Sequence, residues 1–376
     1  MLYYLADLLS PVWGPFRLLG SHALLLAGGS FTAALSAWIL LPRLWPRLPH
    51  DHGKAILKDL GGMASAGKPT GTGLVVSLAA LPAVVLFAPL AFWDMAAFIS
   101  LYGAMLFGYL DDRASVPWGQ LRKGLLDAVV SIAIALFIFL GHSETTAEGS
   151  KAMVAWLPFL KGAVMMGDVG VWLIPGWIYV PLAAFILWFT MNATNCSDGV
   201  DGLAGTLTVI TLAMLAVVLY VVVGYRPVAH YFLIPVYAEA ARWAIVVMTV
   251  AGAFCGYLWY NAEPSRILMG DAGSRFLGIL VATASMMTGN PLFVLFLSPV
   301  VLVNGGGGLG KIVLIRLAKK LGFQISDDSV IRKVRFPLHD HCKKNLGWSN
   351  AQVLMRFVLM QLAVMPILLL ILLKVR

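Results

Sequence analysis

Long apolar runs alternate with short polar segments along the whole chain. Runs near 22–41, 71–91, 95–110, 124–141, 177–192, 203–223, 243–260, 275–289, 291–315 and 353–374 reach or approach the ~20 residues a helix needs to cross a bilayer core. The eighth is short, and the ninth is interrupted by glycines. The connection 142–176 carries apolar patches of its own (MVAWLPFL, VWLIPG) and predicts a small external hairpin. The opening stretch MLYYLADLLSPVWGPFRLLG is rich in aromatics and lacks a basic n-region, so it reads as an interfacial lead-in. No internal repeat is visible. The pattern predicts an all-α polytopic membrane protein of about ten transmembrane helices, a single integral membrane domain over 1–376.

Composition agrees. The chain is 60% hydrophobic and 12% charged, with mean hydropathy +0.85, whereas soluble domains are about one quarter charged. The net charge of +9 matters less than its placement. Alternate loops cover 42–70, 111–123, 193–202, 261–274 and 316–352. Of the 27 basic residues, all but Arg17, Lys151, Lys161, Arg226, Arg242, Arg356, Lys374 and Arg376 lie in these loops or the adjoining span ends. The positive-inside rule then puts these loops in the cytoplasm and both termini outside, which an even number of spans permits. No nucleic-acid partner is expected. Cys196, Cys255 and Cys342 are scattered and make no metal-type spacing.

The same five loops hold the unusual polar clusters: GKPTGTG (67–73), YLDDR (109–113), NATNCSDGVDG (192–202), YNAEPSRILMGDAGS (260–274) and RFPLHDH (335–341). Acids at membrane depth are costly, which makes Asp111 and Asp112 candidates for proton abstraction or Mg²⁺ binding rather than a simple helix-end pair. Adjacent side chains on a helix diverge by about 100°, so one of the two is expected inward and one toward the loop. Asp198 and Asp201 would share a face if helical, and one of them could cap the next span. The capping reading explains one Asp but poorly explains the other, Asn192 and Asn195. Asp271 sits between glycines just before a span, where it is either a cap or a Mg²⁺ ligand beside a phosphate-attracting helix N-terminus. In HDH, His339 and His341 would point the same way on an extended segment. Two histidines without further ligands do not make a zinc site, and a phosphate-contacting or proton-handling pair fits better.

GGGGLGKI (305–312) imitates a phosphate-binding loop, but Ile312 stands where Ser or Thr is needed and a span, not a strand, precedes it. It reads instead as a break or close-packing point in the ninth span. Carboxylates on three loops, with cations on the same side, suggest phosphoryl chemistry on a lipid. A transporter would place its acids near mid-span and show repeats. A CDP-alcohol phosphotransferase would need an Arg and a later Asp pair after Asp201-Gly202, and neither is present.

These motifs resemble those of the phospho-N-acetylmuramoyl-pentapeptide transferases, within the polyprenyl-phosphate N-acetylhexosamine-1-phosphate transferases. The likeness covers essentially the whole chain. NATNCSDGVDGLAG (192–205) is its most specific part. GKPTGTG, GYLDDR, YNAEPSRILMGDAGS and PLHDHCKKNLGWSNAQVLMRF (337–357) are similar to the family's other signatures. The resemblance implies transfer of phospho-MurNAc-pentapeptide from UDP-MurNAc-pentapeptide to undecaprenyl phosphate, giving lipid I and UMP. A related transfer from UDP-GlcNAc is the alternative. It also implies Mg²⁺, a bacterial cytoplasmic membrane, ten spans with periplasmic termini, and a homodimer. By motif, Asp271 is the expected Mg²⁺ ligand, and Asp111, Asp112, Asp198 and His339 the catalytic set. Lys68, Thr70, Lys123, Asn192, Asn195, Gly199, Val200, Asp201, Asn261 and His341 are the expected substrate contacts. The chain departs from the family pattern at Asp340 (central His of the triplet), Leu268 (Phe), Arg113 (Lys) and Lys68 (Thr).

Overall fold

The computed structural model describes all residues except 52–64, 147–148, 159, 161, 167–168, 324–328, 330–332 and 375–376. Helices occupy every predicted run. After a short α1 (Leu2–Leu9) come α2 (His22–Leu44), α3 (Gly73–Phe87), α4 (Phe92–Arg113) and α5 (Gln120–His142). Next are α6 (Gly176–Ser197), α7 (Leu203–Val217, continued by a π turn Val218–Val223), a short α8 (Arg226–Tyr231) and α9 (Ala240–Asn261). The last group is α10 (Gly270–Met286), α11 (Phe293–Leu297), α12 (Pro299–Val301), α13 (Gly307–Lys320), α14 (Leu338–Leu346) and α15 (Asn350–Lys374). Among the described residues, 8 helices are long and apolar enough to cross a bilayer.

Two of the expected spans are short: α3 has 15 residues and α10 has 17. At 1.5 Å per residue, α10 is about 26 Å long, less than the ~30 Å hydrocarbon thickness. It can be short because it is the central helix. Every residue from Ala272 to Met286 is buried, among α3, α4, α6, α7 and α9. Only its first two residues, Gly270 and Asp271, remain partly exposed. The ninth span begins at Pro299, later than the expected 291, because α11 is a separate short turn. The polyglycine run opens with a π turn (Leu302–Gly306) seated directly on Ala193 and Phe189 of α6. That is the close-packing point the sequence suggested.

The expected external hairpin is larger than a hairpin. Four strands, β1 Ser143–Thr145, β2 Lys151–Ala155, β3 Val164–Met166 and β4 Val169–Pro175, form an antiparallel sheet of order β1-β2-β4-β3. A lone hairpin is marginal in water, and extra strands with an apolar anchor stabilise it. Here the anchor is Trp156, fully buried, whose Nε1 donates to Thr288 O at 2.7 Å. Chain direction places this sheet at one end of the bundle. The C-terminal ends of α4, α6 and α9 and the N-terminal ends of α5, α7 and α10 meet at the other.

Candidate active site

That second end gathers the acids. Asp112 lies in the last turn of α4, and its two carboxylate oxygens accept the backbone N–H groups of Asp271 (3.0 Å) and Ala272 (3.1 Å). An α-helix leaves its first N–H groups without intrahelical partners, so α10 is capped by a side chain from another span. Gly270 makes this possible. Its φ is +69°, and a Cβ there would run into the Asp112 carboxylate. Asp271 is thereby relieved of the capping duty that its sequence position suggested.

Asp111, 8% exposed, accepts from Trp118 N at 2.7 Å through Oδ1 and pairs through Oδ2 with Lys123. The DD pair divides as expected: Asp112 faces inward to α10, while Asp111 holds the loop through Trp118 N and reaches Lys123 on α5. Lys123 also lies 3.4 Å from Asp271 Oδ2, so one ammonium bridges two carboxylates from two other elements. Arg275, one turn below Asp271 on α10, reaches the same Asp271 oxygen at 3.3 Å and pairs with Asp127, one turn below Lys123 on α5.

A second cluster lies alongside. Lys68 Nζ is 2.9 Å from Ser265 Oγ and 3.5 Å from Asp201 Oδ2, and Asp201 Oδ2 accepts Ser265 N at 3.1 Å. The 67–73 segment connects the clusters: Leu268 N donates to Pro69 O at 2.8 Å and Thr72 Oγ1 donates to Leu268 O at 2.8 Å. Thr70, 8% exposed, donates its N–H to Pro49 O. Asn195 Oδ1 lies 2.8 Å from Ser274 Oγ, tying α6 to α10. Asn192 Nδ2 donates to Trp188 O within α6.

Several expected arrangements differ. Asp198 and Asp201 do not share a helical face: α6 ends at Ser197, and Gly202 at φ +74° turns the chain before α7. Asp201 holds Ser265 rather than capping α7. Val200 turns into an apolar cluster with Leu203, Leu207, Val301, Cys342, Val353 and Phe357. Asn261 uses both ends of its amide on backbone, accepting Gly202 N at 2.8 Å and donating to Ile267 O at 2.7 Å. It staples the 198–202 turn to the 262–268 loop. His339 and His341 do not point the same way, because α14 is helical there, and residues two apart on a helix diverge by about 200°. His339 is buried against Gly199, where any Cβ would meet its imidazole, and its backbone N donates to Asn304 Oδ1 at 2.9 Å. His341 instead takes Arg335 N at 3.3 Å.

The sequence reading missed Arg275, Asp127, Ser265 and Asn304 as members of the site. The first two carried a usable signal. Asp271 with Arg275, and Lys123 with Asp127, are spaced i,i+4 and so share a helix face, and each inner charge lies a full turn into a span. Ser265 and Asn304 carried none.

Among the described residues no three His, Cys, Asp or Glu side chains form a protein-only metal cage. Magnesium does not need one, because it takes one or two carboxylates and completes its shell with phosphate oxygens and water. Asp271, a hard oxygen donor at 24% side-chain exposure against 7% for Asp111, fits that demand best.

Residues 95–289, just over half of the chain, match Glycosyl transferase family 4. A phospho-N-acetylmuramoyl-pentapeptide-transferase of Treponema pallidum is 39% identical over 350 residues, covering 93% of this chain and 90% of its own. Enzymes of the same name from Gemmatimonas aurantiaca and Leptospira biflexa are each 28% identical, covering 95% and 78% of this chain and 95% and 77% of their own. With polar clusters at the loop ends of a helical bundle and this similarity running through nearly all of it, the chain belongs to glycosyl transferase family 4, among the phospho-N-acetylmuramoyl-pentapeptide transferases.

Proposed function

We propose that this multi-pass protein of the bacterial cytoplasmic membrane transfers phospho-MurNAc-pentapeptide from UDP-MurNAc-pentapeptide to undecaprenyl phosphate, producing lipid I and UMP. The observation that carries this is the 39% identity over 93% of the chain to an enzyme of that name. The acid-rich end of the bundle is where the chemistry would occur. We place it at the cytoplasmic face, on the strength of the basic loops around it.

The reaction joins two phosphates of like charge at a lipid surface, so positioning and charge neutralisation dominate. Asp111 would take the remaining proton from the lipid phosphate at Oδ2, the oxygen now held by Lys123. With Asp111 neutralised by that proton, Lys123 would be free to offset the negative charge left on the lipid phosphate beside Asp271. Asp112 fixes the first turn of α10 and acts by holding Asp271 in place. A bound Mg²⁺, held by Asp271, would neutralise the diphosphate and stabilise the departing UMP. The Lys68, Asp201 and Ser265 cluster offers hydrogen-bonding groups for the nucleotide, with Asn261 and Gly199 shaping the turn that presents them. Asp198, just past the end of α6, would be the remaining essential acid that the family motif implies. His339 lies behind Gly199, where it supports the same turn. A second copy of the chain is the expected partner, which light scattering of the detergent-solubilised protein tests by mass.

The proposal is tested by lipid-product formation in detergent with undecaprenyl phosphate and the pentapeptide donor. Product should require added Mg²⁺, vanish with a chelator, and be lost in Asp271→Asn. Full product from Asp271→Asn, or from chelated protein, would remove the metal role assigned to this residue.

A further inference from the structure

Arg275 and Asp127 form an ion pair in the core of the bundle, 3% and 0% exposed. Buried pairs of this kind are rarely kept for stability, since well-packed apolar side chains do as well or better. This one is not optimised as a stabiliser either. Arg275 Nε is buried with no hydrogen-bond partner among the described residues, and beyond the guanidinium Asp127 has only the Asn192 amide beside it. The pair is instead continuous with the acid cluster. Arg275 Nη1 pairs with Asp127 Oδ1, and Nη2 reaches Asp271 Oδ2 at 3.3 Å. Lys123 approaches that same Asp271 oxygen at 3.4 Å from the side of α5 that also carries Asp127. Two helices thus face each other through two charges apiece.

We infer that Arg275 and Asp127 are positioning residues for Asp271. Arg275 fixes Oδ2 from inside the bundle and leaves the rest of the carboxylate for a divalent cation, while Asp127 cancels the Arg275 charge so that the cation is not repelled. This rests on the reading of Asp271 as the metal ligand. A planar guanidinium suits the task because its fork serves two carboxylates at once, which an ammonium cannot do with fixed geometry. Without Asp127, a full positive charge would stand beside the cation site in a poorly screened interior.

The test uses Mn²⁺ as probe. Its binding to the purified full chain is followed by the loss of the free-ion electron paramagnetic resonance signal, alongside UMP release and thermal unfolding. Asp127→Asn should weaken Mn²⁺ binding about tenfold, because the Arg275 charge is then uncompensated. Asp127→Asn combined with Arg275→Gln should return affinity to within about threefold of the native protein while kcat stays about tenfold low, since only the flexible Lys123 ammonium then holds Oδ2. A structural role alone would instead move Mn²⁺ affinity, kcat and unfolding temperature together, with all three restored in the double variant. That result, or native affinity in Asp127→Asn, overturns the inference. Asp271→Asn is the control. Unchanged Mn²⁺ binding there removes the metal reading and this inference with it, whereas loss there without coupling between 127 and 275 removes this inference alone. If the neutral variants fail to fold, Arg275→Lys decides. It keeps the charge but not the fork, so affinity should hold within about threefold and kcat should fall about tenfold; native kcat would overturn the inference.

Discussion

Replacing Asp112 by asparagine removes one of the two acceptors that hold the first turn of α10. The native carboxylate takes N–H groups of Asp271 and Ala272 at 3.0 and 3.1 Å. Hydrogen bonds to a charged group contribute about 1.5–3 kcal/mol each. Asparagine keeps one oxygen and turns an NH2 toward the other N–H, so one bond is lost and a buried donor is left facing a donor. Loss of negative charge at the helix N-terminus adds about 0.3–1 kcal/mol. The sum is a destabilisation of about 2–4 kcal/mol, concentrated at the residue that carries Asp271. A shift of about 1 Å at a reacting group costs on the order of 100-fold in rate. We therefore expect Asp112→Asn to unfold at lower temperature in detergent and to release UMP about 100-fold more slowly, with donor KM within about threefold of native. Native unfolding with a native rate would refute the capping role. Native unfolding with activity abolished would mean that Asp112 touches the reacting atoms directly.

Other substitutions separate the remaining roles. Lys123→Met leaves Asp111 and Asp271 without their shared cation, and kcat should fall about 100-fold in UMP release, with a steeper Mg²⁺ dependence. Asn261→Ala loses the bonds to Gly202 N and Ile267 O, and should cost about 2–4 kcal/mol in denaturant unfolding and raise donor KM. Gly199→Ala drives a methyl into the His339 imidazole and should cut activity at least about tenfold, with partial recovery in the Gly199→Ala/His339→Ala double variant. Burial pushes the Cys342 thiol up, so less of it is thiolate at neutral pH. Maleimide labelling at Cys342 should be slower than that of a model thiol and should speed up as pH rises.

The spans and the clustering of polar motifs at one end were legible because apolar run length and loop charge are local properties. Depth was not. That α10 is both short and central depends on the helices packed around it, and it leaves Asp271 as a partly exposed residue ahead of a fully buried run. The capping of α10 by Asp112 joins residues far apart in sequence, so the local pattern offered Asp271 both as a cap and as a metal ligand and could not show that the cap comes from Asp112. Likewise, HDH has the alternation of an extended segment, yet α14 is helical and turns His341 away from His339. The inner pair Asp127 and Arg275 was within reach through its i,i+4 spacing, but each looked like an ordinary charge near a span end.

The central claim is the identity of the donor. The most direct measurement is UMP release by the purified protein in detergent, with undecaprenyl phosphate and Mg²⁺, offered UDP-MurNAc-pentapeptide or UDP-GlcNAc in parallel. Release with the pentapeptide donor alone is the predicted result. Release with UDP-GlcNAc instead would contradict the account and assign the same site to the sister transfer.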